Sequence, residues 1–573
     1  MSGFQFRQLR CVGFRGLALA ELVIGGFSLG AQTLAPGVTL TPVAQGYANL
    51  ETASFTRHNL VSIGSTQYIA FYNPGTNLVV GRRVPGTTTW ETSPTSFKPN
   101  NPTDGHDIIS IGICSDGILH ASWGMHGDAF HYARTTQPWS LNLVATNMTG
   151  FEHAVTYPQF INLPNGDLLY LFREGSSGNG DTYINHYSSV THAWTNLTLG
   201  TSQAPFIRAS GPGSATNANA YPNYACFDSQ TNLQLTWTWR EDASSIDWNH
   251  DECYARSPDF GATWQTWSNT TYTLPITKET AQIIWPIPLN SQLMNQCGQT
   301  IDTNDRPVIA TWWAPRGSGT AIQIFVIWND GAQWRTNQIG TRTTTAWPTR
   351  PIIVCDKINR LWMVFTDPER GNAPTLAWTS DPQRQTWNLI NLADQDMGSW
   401  EADYDPTVWD RDGKLDLFYQ PINGASDGTQ ISVLEFDPAI FLANQPVPTQ
   451  TFAWTNVNGG NWSVAANWMN GAPPPAGGSN NLQLQFSGTA SYAATNDLAG
   501  GFLLNQMLLN ASGAGTNGVA GNPLLFTNNG TSLAVLTQSG SASFAIANAL
   551  TLGATLSVAL NSSAPVLLNG GIA

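Results

Sequence analysis

Three segments of this 573-residue chain gather side chains that can move protons and hold anions. The first is Asp104-Gly-His106-Asp107, followed by Ser122-Trp123-Gly-Met-His126-Gly. The second is Thr156-Tyr157-Pro158, then Phe172-Arg173-Glu174-Gly175. The third is Tyr221-Pro-Asn-Tyr224, then Trp239-Arg240-Glu241 and Asn249-His250. An imidazole titrates at ~6.5 and a phenol at ~10, while a guanidinium stays charged and grips a carboxylate through two parallel hydrogen bonds. Singly, each residue has a plainer reading. A strand-end His or Tyr usually satisfies a backbone group, and Arg173-Glu174 and Arg240-Glu241 read as structural ion pairs. Their recurrence just after successive strands favours one shared cleft.

A repeated strand pattern must position these groups. A turn followed by an alternating apolar strand recurs seven times, at 66–72, 116–123, 165–172, 231–239, 305–312, 359–365 and 412–419. A second strand follows each, at 78–82, 129–133, 182–187, 252–256, 322–328, 375–379 and 431–436. Period-two alternation bounded by Gly, Asn and Asp is the strand signal. Spacings of this length suit four-stranded blades, so residues 41–446 are expected to form a seven-bladed β-propeller with almost no helix. In such a ring, equivalent positions of adjacent blades converge on the central channel. Ser257-Pro-Asp-Phe-Gly-Ala-Thr-Trp264 fits the Asp-box turn, and Thr379 to Trp387 is a looser copy with one extra residue. That turn marks the fold and belongs on the rim.

Composition narrows the class. With 24 Lys+Arg against 38 Asp+Glu the formal net charge is −14, and only 11% of residues are charged, where an ordinary domain carries roughly 25%. A coiled coil, a disordered acidic tail and a basic nucleic-acid-binding face are thereby excluded. Arg7, Arg10 and Arg15 before the apolar stretch 16–30 read as an export signal over 1–31, which implies a secreted, cell-surface or periplasmic protein. No other run is long and apolar enough to span a bilayer. Beyond Cys11 the five cysteines have no close spacing, so buried free thiols are expected, although Cys226 could pair with Cys253. From Thr451 onward Asp497 is the only charged residue, and short Leu/Phe/Ile runs alternate with Asn-Gly and Ser-Gly turns. Residues 451–573 therefore read as a β-helix or β-solenoid segment that stops in mid-pattern. The opening Asn461-Trp462-Ser463…Asn467-Trp468 resembles the autotransporter-associated β-strand repeats of exported bacterial proteins.

The first region resembles the BNR-repeat propellers that include ulvan lyases and rhamnose–glucuronate-cleaving enzymes. The likeness rests on Gly-His106-Asp, Trp-Gly-Met-His126-Gly, Thr-Tyr157-Pro, Leu-Phe-Arg173-Glu-Gly-Ser-Ser-Gly-Asn-Gly and the Asp box. It implies a polysaccharide lyase that cleaves an anionic, uronate-containing polymer by β-elimination. On that likeness the catalytic set is His106, His126, Tyr157, Arg173 and Tyr224, with Tyr221 the alternative position for the last tyrosine. Arg173 would neutralise the uronate carboxylate, a His would take the C5 proton, and Tyr157 or Tyr224 would protonate the leaving oxygen, with the Tyr and His roles exchangeable. Tyr221, Arg240, Asn249, His250 and Trp123 would hold neighbouring sugars. The segment from Thr238 to His250 departs from the ulvan lyases and is closer to other branches.

No cofactor is required by this chemistry, although Asp104, His106 and Asp107 could hold a structural Ca²⁺ or Zn²⁺. A monomer is expected, with no nucleic-acid partner and no membrane insertion of the propeller. Competing readings are a glycoside hydrolase or lyase acting on rhamnose–glucuronate or sialidase-like linkages, and a non-catalytic propeller in which Trp123, Trp239 and Trp312 stack on sugars.

Overall fold

The computed structural model describes residues 32–573 apart from 56–57, 198–204, 209–217, 423, 425–427 and 499. The export signal expected over 1–31, with Cys11, lies outside the described residues.

Each of the seven recurrent strands is present, and each is the second strand of an antiparallel blade counted from the axis. Blade 1 runs Leu60–Ile63, Thr66–Tyr72, Leu78–Arg83 and Glu91–Pro94. The corresponding second strands of blades 2 to 7 are Leu119–Trp123, Leu168–Ser176, Leu233–Arg240, Pro307–Trp313, Leu361–Thr366 and Leu415–Tyr419. Pro307–Trp313 and Leu361–Thr366 are buried at every position. Blades stack face to face, so neither side of a second strand meets water, and the strands carry Val, Ile, Leu and Trp on both faces. The outer strands Glu91–Pro94 and Asn388–Asn391 are exposed or half-buried at every position.

The ring closes by pairing its first strand with its last. Val38–Gly46 runs antiparallel to Thr429–Phe436, from Val38 opposite Phe436 to Gly46 opposite Thr429. A sheet closed in this way leaves no unpaired edge at the seam. Side chains clip the same seam. Arg83 of blade 1 reaches Glu435 at 2.7 Å and Asp416 at 3.5 Å in blade 7, and Gln67 Nε2 donates to Asp405 and Asp416, both at 2.9 Å. Two short α-helices, Pro406–Asp412 and Pro438–Ala443, each begin at a capping Asp followed by Pro, which satisfies amides that would otherwise lack a partner.

The Asp box forms as its sequence implies. Asp259 accepts the Thr263 N–H and Oγ1–H, both at 2.7 Å, while Trp264 is wholly buried and donates to the Gly261 carbonyl at 3.0 Å. In the looser copy Asp381 accepts the amides of Gln383, Gln385 and Thr386. The five described cysteines are free thiols, so Cys226 and Cys253 are not joined.

Residues from 450 onward coil into three parallel sheets. One sheet stacks Gln450–Trp454, Leu482–Phe486, Gln506–Leu509, Ala534–Gln538 and Leu556–Leu560; a second carries Ala493–Asn496, Thr516–Gly521 and Ser543–Ile546; the third carries Phe502–Leu504, Leu524–Phe526 and Leu550–Leu552. Leu482, Leu484 and Phe486 point inward and are fully buried, with intervening Gln side chains half-buried. Asn fills the corners: buried Asn505 donates to the carbonyls of Thr527, Ser532 and Leu533. The Asn-Trp…Asn-Trp opening plugs the first coil, where Trp454, Trp462 and Trp468 meet edge to face with centroids 5.2 and 5.9 Å apart.

Candidate active site

The antiparallel register brings the start of each inner strand beside the end of the second strand. Thr156 lies opposite Arg173, and Asn219 opposite Arg240. Residues leading into inner strands and residues leaving second strands therefore share one end of the ring. A cleft of about 540 Å³ opens there, lined by His106, Tyr157, Arg240, Asn295, Trp347 and Arg350 among others.

Asp104 organises the two imidazoles. It accepts the Nδ1–H of His106 at 2.6 Å through one oxygen and that of His126 at 2.8 Å through the other. A carboxylate only accepts, so each ring keeps Nε2 as its basic nitrogen. The rings stack at 3.8 Å and 14°. Partial burial would raise the Asp104 carboxyl, but hydrogen bonds from the His106 backbone N–H and both imidazoles outweigh it and hold the group at about 2. Burial, then the neighbouring His126 charge, pushes His106 down to about 4 despite Asp104. His106 is therefore neutral at neutral pH. A second stack backs it: Phe55 lies 4.3 Å from the His106 ring at 6°, and the Arg350 guanidinium lies 4.3 Å from Phe55 on a cation–π contact. Glu401 ties this group together by accepting from the Phe55 N–H at 3.1 Å and from Arg350 Nη1 at 2.8 Å.

Tyr157 lies within a bulge of its strand and holds φ = 55°, and Phe55 holds φ = 65°. Left-handed backbone at a non-glycine residue costs about 1–3 kcal/mol and concentrates at working sites. Burial, then the neighbouring Tyr221, raises the Tyr157 phenol above its usual value, against the pull of Arg173, Arg240 and Arg350. It stays protonated at neutral pH. Arg173 is only 4% exposed. Its guanidinium lies 4.9 Å from the Tyr157 ring, and it donates to the Tyr221 hydroxyl at 3.3 Å and the Gly175 carbonyl at 3.2 Å. Arg173 thus supports the two tyrosines from behind. Arg240 lines the cleft instead, anchored by Nε donation to Asn249 Oδ1 at 2.6 Å and longer bonds to Tyr221 and Asn295. Among the described residues no carboxylate pairs with Arg240 or Arg173. Successive residues on a strand face opposite ways, so Glu174 instead accepts the amides of His153 and Ala154, and Glu241 pairs with His250 and Lys278.

Thus His106, His126, Tyr157, Arg173, Tyr221, Arg240 and Asn249 form one assembly, with Asn249 fully buried as a prop for Arg240. Five expected contributors lie elsewhere. Tyr224 is buried between His58 and Tyr404 and lines a separate cavity of about 210 Å³, bordered by inner-strand ends such as Ile161 and Cys355 and hence at the other end of the channel. The three-residue separation from Tyr221 places the two phenols at different depths. Trp123 is buried between Phe97 and His131, and its indole N–H donates to the Lys98 carbonyl. Trp239 and Trp312 are also buried, so none of these three offers a face to a sugar. His250 is held between Glu241 and Asp251 at 3.0 and 2.9 Å and does not line the cleft.

Sequence reasoning missed Phe55, Asn295, Trp347, Arg350 and Glu401. They lie on loops leading into inner strands, and no local motif marks them. The signal was positional, since Arg350 shortly precedes an inner strand as His106 does.

Asp104, His106 and His126 each offer a ligand atom within 4.8 Å of one another. Asp107 does not join them: it is buried, accepts the Asn101 N–H at 2.6 Å, and burial pushes it up to about 6. The stacked, nearly parallel rings direct Nδ1 to one carboxylate, a geometry that suits two hydrogen bonds better than a chelate, in which lone pairs must converge on one point.

Residues 66–342 match the profile of a BNR repeat-containing family member. Among solved structures, the polysaccharide lyase Uly1 is similar with a TM-score of 0.54 at 13% identity, covering 71% of this chain and 100% of that one. A PL25 ulvan lyase bound to -[GlcA(1-4)Rha3S]- is similar with a TM-score of 0.52 at 14% identity, covering 73% and 100%. A search of curated proteins finds no match. At such identities the structural likeness is one of fold. The first region of this chain is thus a seven-bladed β-propeller whose residues 66–342 match a BNR-repeat profile, followed by a parallel β-solenoid.

Proposed function

We propose that the protein is an exported polysaccharide lyase that cleaves a uronate-containing polymer by β-elimination. One observation carries the reading: a carboxylate fixes two stacked imidazoles beside a half-buried, protonated phenol and a guanidinium with no carboxylate partner among the described residues. Elimination needs a base for a weakly acidic carbon, a cation for the carboxylate and an acid for the leaving oxygen.

Arg240 takes the uronate carboxylate and offsets the charge that develops on the enolate. Arg173, placed behind the tyrosines, positions them. His106 Nε2 removes the C5 proton. The C5–H electron pair becomes the C4–C5 double bond, the C4–O4 bond breaks, and O4 takes the Tyr157 hydroxyl proton. One proton enters the imidazole and one leaves the phenol, so return of a proton to Tyr157 completes the cycle. An imidazole held at about 4 is a weak base in the free protein, but an anionic ring against it favours the imidazolium.

The fold likeness to two lyases supports this reading, including a ligand of glucuronate and sulfated rhamnose in one of them. Incubation with a panel of uronate polysaccharides tests it. The expected result is rising ultraviolet absorbance from a double bond conjugated to the carboxylate. New reducing ends without that absorbance identify a hydrolase instead.

A further inference from the structure

We propose that the cleft contains a second sugar subsite whose platform is Trp347, and that it takes a neutral pyranose adjoining the uronate. The inference deepens the lyase reading and rests on it for the identity of the first sugar. Trp347 lines the cleft and is 48% exposed, whereas Trp123, Trp239 and Trp312 are buried. Its ring is propped by Trp312 at 5.7 Å and 45°.

The loop before it is built to hold it in place. Buried Arg342 makes two 2.8 Å bonds to the Asp367 carboxylate and donates to the Ala346 carbonyl at 2.8 Å. Glu369 accepts the amides of Thr343 and Thr344 at 2.7 and 2.8 Å. Fixing a large apolar ring in front of water in this way serves a ligand with an apolar face, such as the C–H face of a pyranose.

Charge placement sets the chemistry of that second ring. Ile246, Met294 and Pro348 line the cleft together with Trp347. The cations lining it are Arg240 and Arg350, and Arg350 is already paired with Glu401. One uronate carboxylate uses Arg240, which leaves no unpaired cation among the lining residues for a second. The adjoining sugar is therefore neutral, and the cleft selects alternating uronate–neutral polymers over uronate homopolymers. The volume of about 540 Å³ falls within the range of ligand sites that enclose more than a small fragment.

The test measures kcat and KM for the wild type, Trp347→Ala and Trp347→Phe on an alternating glucuronate–rhamnose polymer and on a polyuronate. Thermal unfolding first establishes that the exposed position tolerates both changes. The expected result is about a tenfold loss of kcat/KM for Trp347→Ala, mainly through KM, with Trp347→Phe recovering most of it and the polyuronate remaining a poor substrate. Unchanged KM in Trp347→Ala, or equal use of both polymers by the wild type, overturns the subsite. Indole fluorescence of His106→Ala titrated with a glucuronate–rhamnose tetrasaccharide separates the two proposals. A signal that vanishes on adding Trp347→Ala supports the platform even if the wild type forms no unsaturated product, which overturns only the elimination. No signal overturns the platform.

Discussion

The propeller and the solenoid are both all-β, yet they treat charge in opposite ways. The ring buries ionisable groups and turns several toward its axis: Asp104, Arg173, Arg350 and Glu401 are all half-buried or buried at one end of the channel. The solenoid holds a single charge, Asp497, which accepts the N–H and hydroxyl of Ser463 at its surface. Geometry explains the contrast. Blades radiate from an axis, so unlike residues from different blades meet and compensate one another. Parallel coils place equivalent residues directly above each other at ~4.8 Å, so a charge carried in the repeat would face its own copy. Asn avoids that repulsion and supplies a donor and an acceptor to successive coils. The ring can thus host acid–base chemistry, while the coil is built for length and neutrality.

The largest expected effect comes from removing the base. His106→Ala should lower kcat by about 10²–10⁴-fold with the fold intact, and His126→Ala by less, because His126 stacks behind His106. Equal activity of His106→Ala and wild type would remove the pair from the mechanism. Tyr157→Phe removes the proton donor and should cost a loss of the same order, read as kcat at saturating polymer. Arg240→Lys keeps the charge but loses the two-point grip and should reduce kcat/KM by about tenfold, with Arg173→Lys acting mainly on kcat through the tyrosines. All five changes belong to the ring, and none in the solenoid should match them.

The two regions should also part in their response to pH. Burial raises Glu51 and Glu252 each to about 8 in the fold, partly opposed by hydrogen bonds to Ser54 and Thr238. Unfolded glutamates ionise near ~4.3, so the folded ring retains protons that the unfolded chain has lost. Its stability therefore falls as pH rises toward 8. Histidines with depressed values, such as His106, add an opposite slope only below ~6.5. Calorimetry between pH 6.5 and 8 should show the propeller transition falling by several degrees while the solenoid transition stays put. A parallel fall in both would break the contrast. As a base that must be neutral, His106 also sets an acid limb of kcat/KM near pH 4, below the ~6.5 of an ordinary imidazole.

Added Zn²⁺ should inhibit modestly by displacing the protons that join Asp104 to its two imidazoles, and inhibition should fade as those protons become harder to remove at lower pH. Smaller still for activity is Asn505→Ala. Loss of its three carbonyl contacts should cost the solenoid about 1–3 kcal/mol while leaving turnover unchanged.

The ring was legible in the sequence because second strands are apolar on both faces and repeat at fixed order, so Thr66–Tyr72 and its six counterparts announced themselves. Inner strands were not. Asp403–Tyr404 is two residues long and Gly298–Ile301 four, too short for a period to show. The same asymmetry divides the site. His106, His126, Tyr157 and Arg240 stood out through dense polar motifs. Arg350 and Glu401 lie 51 residues apart and meet only when blades 6 and 7 pack. Trp123 misled because an aromatic at a strand end reads alike whether it faces a ligand or a core, and Tyr224 because a short extension beyond Tyr221 carries the chain down the channel.

Turnover in oxygen-18-labelled water tests the central claim most directly. Elimination by His106 and Tyr157 breaks the C4–O4 bond without adding water, so products of a uronate polymer sampled before anomeric exchange should carry no label and should bear an unsaturated end. Incorporation of one labelled oxygen per cleavage, with saturated ends, would show hydrolysis and contradict the account.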